Sequence, residues 1–240
     1  MSDAWSGAAA SCDGGDLDCG SGLLLIIRSA MAPLGAGEML LVKSREISVR
    51  EDLPAWCRLV GHTLLAERAA DGGYCHFLIK KKADDQALAG DLQKAREHVW
   101  QVRARWTGGM QAKVTARNHS FAVGQPASFD TEDAAPSAVE LLLGALAGAL
   151  TTGLQWRLSR QQINVQNLEV VCKARSKDPT VFLGLGSGGP ELEGVDVTVY
   201  VAADCERTVL EATFAETMRA CPVTQSLLQR VPVETLLREV

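Results

Sequence analysis

The chain has no Cys-x-x-Cys pair, and its four histidines, His62, His76, His98 and His119, are scattered. The ligand spacing of a zinc site is therefore absent, and neither a metal nor a cofactor is expected. A formal charge of −5, from 24 basic and 29 acidic residues, lacks the basic excess that phosphate backbones demand. That excludes nucleic acid as an expected partner. Lys80, Lys81 and Lys82 are the one tight basic cluster and read as a solvated strand end or linker. No run approaches the ~20 apolar residues that span a bilayer. Residues 23–27 are too short even for a signal segment, and the N-terminus is acidic and small rather than basic. The expectation is a cytoplasmic protein with no membrane partner. Seven cysteines, an odd number without paired spacing, argue against a secreted disulfide framework.

The content that is present falls into two halves. Residues 1–15 are rich in Ala, Ser and Gly and read as a flexible N-terminus. Residues 16–82 follow a β-α-β-α-β-β order, a two-layer sandwich. In it, 21–31 is an apolar helix ended by Pro33 and Gly35, and 38–43 a strand. Ser48-Val49-Arg50-Glu51 has the form of a capping box, opening a helix closed by Gly61. Asp71-Gly72-Gly73 joins two final strands. Residues 83–97, charged and Ala-rich, read as a linker, helical or partly ordered.

Residues 98–240 start with a strand meander that turns at Gly108-Gly109. A second capping box, Ser137-Ala138-Val139-Glu140, opens a long helix to about Arg160, apolar on all sides over 141–150. Strands at 163–173 and 195–202, a helix at 206–219, another helical turn at Cys221-Pro222 and a last strand at 233–240 follow. The expected class is α+β, a sheet wrapped around a long buried helix in this half.

Cys19, in Leu-Asp-Cys-Gly-Ser-Gly, stands where the first helix begins, and Cys221 heads a later one. Unpaired backbone N–H groups and the dipole at such a position favour an anion, a setting that lowers a thiol pKa. Both are candidate catalytic residues. Cys12, Cys57, Cys75 and Cys172 read as core packing, since free cysteine is among the most buried residue types.

The first half, over about 12–82, resembles the TusA-like (SirA-like) sulfur-carrier family. The resemblance is carried by Cys12-Asp13, Leu17-Asp18-Cys19, Gly37-Glu38-Met39-Leu40-Leu41-Val42, Leu53-Pro54-Ala55-Trp56-Cys57 and Gly61-His62-Thr63-Leu64-Leu65-Ala66. It implies a Cys-Pro-x-Pro cysteine that takes up a persulfide sulfur and hands it on. Here Cys19 is kept, while Gly20 and Gly22 replace the prolines.

The second half resembles the OsmC-like family, which includes organic hydroperoxide reductases, through Ala135-Pro136-Ser137-Ala138-Val139-Glu140-Leu141-Leu142-Leu143-Gly144-Ala145-Leu146-Ala147 and Cys221-Pro222-Val223. The resemblance implies a peroxidatic cysteine nine residues after Glu140 and a resolving one in Cys-Pro-Val. The first position is Ala149, the second Cys221, and the acidic partner's position is Val139. Arg117 is a candidate for the family's arginine. The resemblance also implies a homodimer.

A sulfenic acid needs an attacking thiolate first, so ordinary hydroperoxide reduction is expected to be lost. Three functions remain open. One is a thiol/persulfide relay through Cys19 and Cys221, with persulfide donor and acceptor proteins as partners. Another is a non-catalytic dimeric binding or regulatory protein with an apolar pocket around Leu146, Ala149 and Gly153 for a small hydrophobic ligand. The third is a peroxidase acting through Cys221 alone with an outside thiol.

Overall fold

A computed structural model describes residues 4–82, 87–125, 134–229 and 231–238. It divides into two compact units. One comprises Met1–Val99 with Trp156–Asn164, the other Trp100–Gln155 with Val165–Val240.

In the first unit the alternation of β2 (Met39–Ser44) turns Leu40, Val42 and Ser44 inward and leaves Leu41 and Lys43 on the other face. β1 (Ala10–Asp13) runs parallel to β2 on one side, and β4 (Cys75–Lys80) antiparallel on the other. β3 (Thr63–Ala69) completes the sheet as its far edge, giving the order β1-β2-β4-β3. The helices α1 (Leu24–Met31) and α2 (Val49–Val60) cover the inward face. Ile27 and Met31 from α1, and Val49, Leu53, Trp56 and Cys57 from α2, close one core over Leu40, Val42, Phe77 and Ile79. This is the expected two-layer β-α-β-α-β-β order.

Two local expectations fail. The first strand lies at Ala10–Asp13, inside the segment read as flexible, because its backbone finds β2 as a parallel partner. Ser48 does not act as a capping side chain: its backbone is already helical, and its amide donates to the Glu46 carboxylate at 3.2 Å. The C-terminal expectation holds, since Gly61 stops α2 in the left-handed conformation (φ 83°) that glycine adopts without a Cβ clash. The charged stretch after β4 contains α3 (Ala87–Arg96), and its residues 83–86 lie outside the described residues.

Among the described residues the second unit holds two separate sheets rather than one. β5 (Arg103–Gly108), β6 (Gln111–Ala116) and β7 (His119–Val123) form an antiparallel meander. β8 (Val165–Ser176) and β9 (Leu192–Ala203) form a long two-stranded ribbon. The long helix α4 (Ala138–Arg160) starts as expected: Ser137 N–H donates to Glu140 Oε2 at 2.7 Å and Glu140 N–H to Ser137 Oγ at 3.2 Å. This reciprocal pair satisfies two of the helix's orphan donors.

Burial all round α4 is not what a single chain provides. Within this unit Leu146, Leu150 and Leu154 are buried at a four-residue spacing, while Leu142 stays 40% exposed. One chain supplies a packing surface for one stripe only. The membrane reading also needs correction: α4 is long and apolar enough to cross a bilayer by length and composition. Thr151, Thr152 and Gln155 interrupt the apolar run of residues 141–150 without breaking the helix. Its Leu146–Leu150 stretch packs on the strand residues Val170 and Val197. After β9 come α5 (Arg207–Ala220) and α6 (Pro222–Leu228). Residues 233–238 carry no strand, contrary to expectation; 239 and 240 lie outside the described residues.

Candidate functional site

Cys19 opens a wide five-residue turn, Cys19–Leu23, that leads into α1. Leu23 N–H reaches back to the Asp18 carbonyl at 3.3 Å, and Ser21 N–H donates to Asp18 Oδ1 at 2.5 Å. Asp18 is therefore the anion that this helix start holds. The positive end of the helix, which sequence reasoning offered to the Cys19 sulfur, is already answered by a carboxylate.

The thiol responds accordingly. Half-buried Cys19 is pushed up to about 11, first by burial and then by the carboxylates of Asp52 and Asp18. This overturns the expectation of a lowered thiol pKa at Cys19. At pH 7 a group titrating there is thiolate in only ~1 molecule in 10,000. Asp52 carries no local signal in the sequence, because it enters from the first turn of α2 and only the fold brings it to Cys19.

The glycines that replace the family prolines are not equivalent. Gly22 has φ 114°, a value open to glycine and closed to proline, whose ring fixes φ near −65°. The first turn is thus built around glycine at this position. A Cβ at Gly22 meets nothing within 4 Å, so space is not the constraint; backbone conformation is.

Cys57 faces the same core. It is buried, and its thiol is pushed up to about 11 by burial, with a contribution from Cys19. Cys12 stands in β1 with its thiol raised to about 12, again by burial first. Cys75 is buried with its thiol raised by burial, and its Sγ lies 3.4 Å from the Arg68 carbonyl oxygen. These three behave as the packing residues the sequence suggested.

Cys221 belongs to the second unit. It is the cap of α6, only 5% exposed, and its Sγ accepts the Thr224 N–H at 3.4 Å. With Leu146 and Leu150 it forms a small buried cluster, on which Ala149, Val170, Cys172, Val195, Val197, Met218 and Val223 pack. The structure thus brings Ala149 to the neighbourhood of Cys221, where only a methyl group stands. Arg117 does not enter such a site: it is exposed in the β6–β7 turn with φ 54°. Cys19 and Cys221 lie in different units.

The second unit also contains an apolar cavity of about 720 Å³, lined by Leu154, Val197, Val199, Leu210 and Phe214, with Arg207 and Glu211 among its polar residues. It shares Val197 with the Cys221 cluster. The pocket expected around Leu146, Ala149 and Gly153 is displaced along α4: Leu146 is buried in the cluster, and Leu154 lines the cavity.

Comparison with known proteins places these features. A family model described as OsmC-like protein matches residues 131–236. The N-terminal region is 34% identical over 61 residues to the sulfur carrier protein TusA of Pseudomonas syringae pv. syringae (strain B728a), a match covering 25% of this chain and 71% of that protein. It is 33% identical over 75 residues to the sulfur carrier protein TusA of Pseudomonas entomophila (strain L48), covering 31% of this chain and 91% of that protein. Among solved structures, an OsmC like protein from Mycoplasma pneumoniae is 13% identical with a TM-score of 0.47, over 56% of this chain and 90% of that one.

Proposed function

Because the chain belongs to the TusA sulfur-carrier family through its N-terminal region and carries an OsmC-like region after it, we propose that it handles sulfane sulfur, with Cys19 as the acceptor. The observation that carries this reading is the position of Cys19. It stands in the turn that leads into α1, in the unit similar to the sulfur carriers, and is half-exposed; of the other thiols there, Cys12 is half-exposed but held in β1, and Cys57 and Cys75 are buried. The role is a sulfur- or redox-related one, and its finer form is a relay in which Cys19 receives sulfur from a persulfide donor and passes it to an acceptor protein. Cys221 is a second acceptor in the OsmC-like region.

The elevated thiol pKa gives the carrier a specific character. Thiolate is the nucleophile, and its scarcity at neutral pH keeps Cys19 quiet towards stray electrophiles. A donor protein must bring the activation, either by masking Asp18 and Asp52 or by supplying a base. Gly22 keeps the turn in a shape that a proline could not take.

A homodimer through the second unit fits the uncovered apolar groups of its β5–β7 meander. Trp106 on β5 is 74% exposed and Phe121 on β7 45%. Exposed large apolar side chains on one small sheet are what an association face would cover.

The cavity of about 720 Å³ supports a second reading, the binding of a small hydrophobic ligand, since its volume lies within the ~300–1,000 Å³ of ligand pockets. The two readings separate by experiment. Reduced protein is exposed to a persulfide donor and weighed intact, beside the Cys19→Ser and Cys221→Ser variants. One added sulfur that disappears with Cys19→Ser supports the carrier. No site-specific addition, together with thermal stabilisation by an apolar ligand, transfers the function to the cavity.

A further inference from the structure

The second unit lacks a sulfur at Ala149, yet a second sulfur reaches the same cluster from elsewhere. Cys172 is in β8, paired across the ribbon with Val197 of β9. Period-two alternation puts Val170 and Cys172 on one face of β8, and both pack on the cluster that Leu146, Leu150 and Cys221 form. Cys172 is half-buried and Cys221 almost wholly buried. Ala149 contributes only a methyl to this cluster and leaves its chemistry to the two thiols.

We infer that Cys172 and Cys221 form a redox-active dithiol that closes into a disulfide, with Cys172 supplying from the sheet the sulfur that α4 lacks. Cys221 is the entry sulfur, because the Thr224 N–H donates to its Sγ and steadies charge there. Burial pushes the Cys172 thiol up, which suits the protonated resolving partner.

The step balances with a small-molecule disulfide as oxidant. The Cys221 thiolate attacks the disulfide R–S–S–R, forms Cys221–S–S–R and releases one thiolate RS⁻. The Cys172 thiol then attacks the Cys221 sulfur, closes Cys172–S–S–Cys221 and releases RS⁻ and a proton. One disulfide is reduced to two thiols while the dithiol loses two electrons and two protons. A persulfide on Cys221 enters the second step in the same way, with sulfide as leaving group. The pairing does not depend on sulfur uptake at Cys19.

The test uses the full chain equilibrated in glutathione buffers from reducing to oxidising, quenched in acid, alkylated and mapped by mass spectrometry. The expected result is that Cys172 and Cys221 lose their free thiols together and appear in one cross-linked peptide. In Cys172→Ser, Cys221 is expected to accumulate as the mixed disulfide with glutathione. Cys172→Val, a substitution that suits a strand, provides the same arm if the serine variant folds poorly. The inference is overturned if the wild type holds Cys221 as a stable glutathione adduct with Cys172 still free. It is equally overturned if both thiols stay reduced in the folded chain under every buffer while the cross-link forms only after unfolding. Uptake of sulfane sulfur by Cys19 is read separately in a Cys172→Ser, Cys221→Ser background, so either result stands without the other.

Discussion

The two units spend their apolar residues differently. In the first, helices and sheet meet within one chain, and Leu23, Ile27, Met31, Leu40, Leu53 and Phe77 are closed off from solvent. In the second, a long apolar helix finds cover along a single stripe, and the β5–β7 meander leaves Trp106 and Phe121 in the open. Cys19, partly buried, packs against the completed core of the first.

The contrast predicts unequal responses to core and surface truncation. Phe77→Ala is expected to cost about 3–5 kcal/mol, since a fully buried aromatic leaves a cavity that the sandwich cannot collapse into. Denaturant unfolding of the first unit reads it. Leu150→Ala is expected to cost about 2–5 kcal/mol within the second unit. A cost near zero there would show that the stripe on α4 contributes little and would erase the contrast. Ser137→Ala removes one half of the reciprocal cap at the start of α4 and is expected to cost about 1 kcal/mol. Trp106→Ala sharpens the comparison at the low end. It is expected to change the stability of an isolated chain by under about 0.5 kcal/mol, while weakening self-association measured by sedimentation.

Electrostatics at Cys19 gives a further prediction. The folded pKa of about 11 lies above the thiol's ordinary 9.0, so the native state holds this proton more tightly than the unfolded chain. The resulting contribution to stability is present below pH 9 and is lost as pH rises through about 11. Asp52→Asn removes one of the two carboxylates while burial remains. The midpoint of alkylation rate against pH is expected to move down from about 11 and to stay above 9. An unchanged midpoint would show that Asp52 does not act on the sulfur.

Much of this was legible in the sequence, and the exceptions have physical causes. The β-α-β-α-β-β order and the Ser137–Glu140 cap were visible because both are written in short-range patterns: apolar alternation, a four-residue box, a glycine after a helix. Ser48-x-x-Glu51 has the same pattern, yet its serine is already helical, so an identical motif produced no cap. The first strand of that order lies earlier than expected, because its small and polar residues, Ala10, Ser11, Cys12 and Asp13, carry little strand propensity, and pairing with β2 decides the matter. At the site, Cys19 and Cys221 could be singled out by local setting. The influence of Asp52 on Cys19 and the packing of Cys172 on the cluster that contains Cys221 are long-range features that only the folded chain expresses.

The most direct test is to add one equivalent of persulfide donor per chain to the reduced protein at neutral pH and locate the first added sulfur by peptide mapping. The account predicts that it resides on the peptide containing Cys19. A first sulfur on the peptide containing Cys221, with Cys19 left as a free thiol, would contradict the assignment of the N-terminal unit as the carrier.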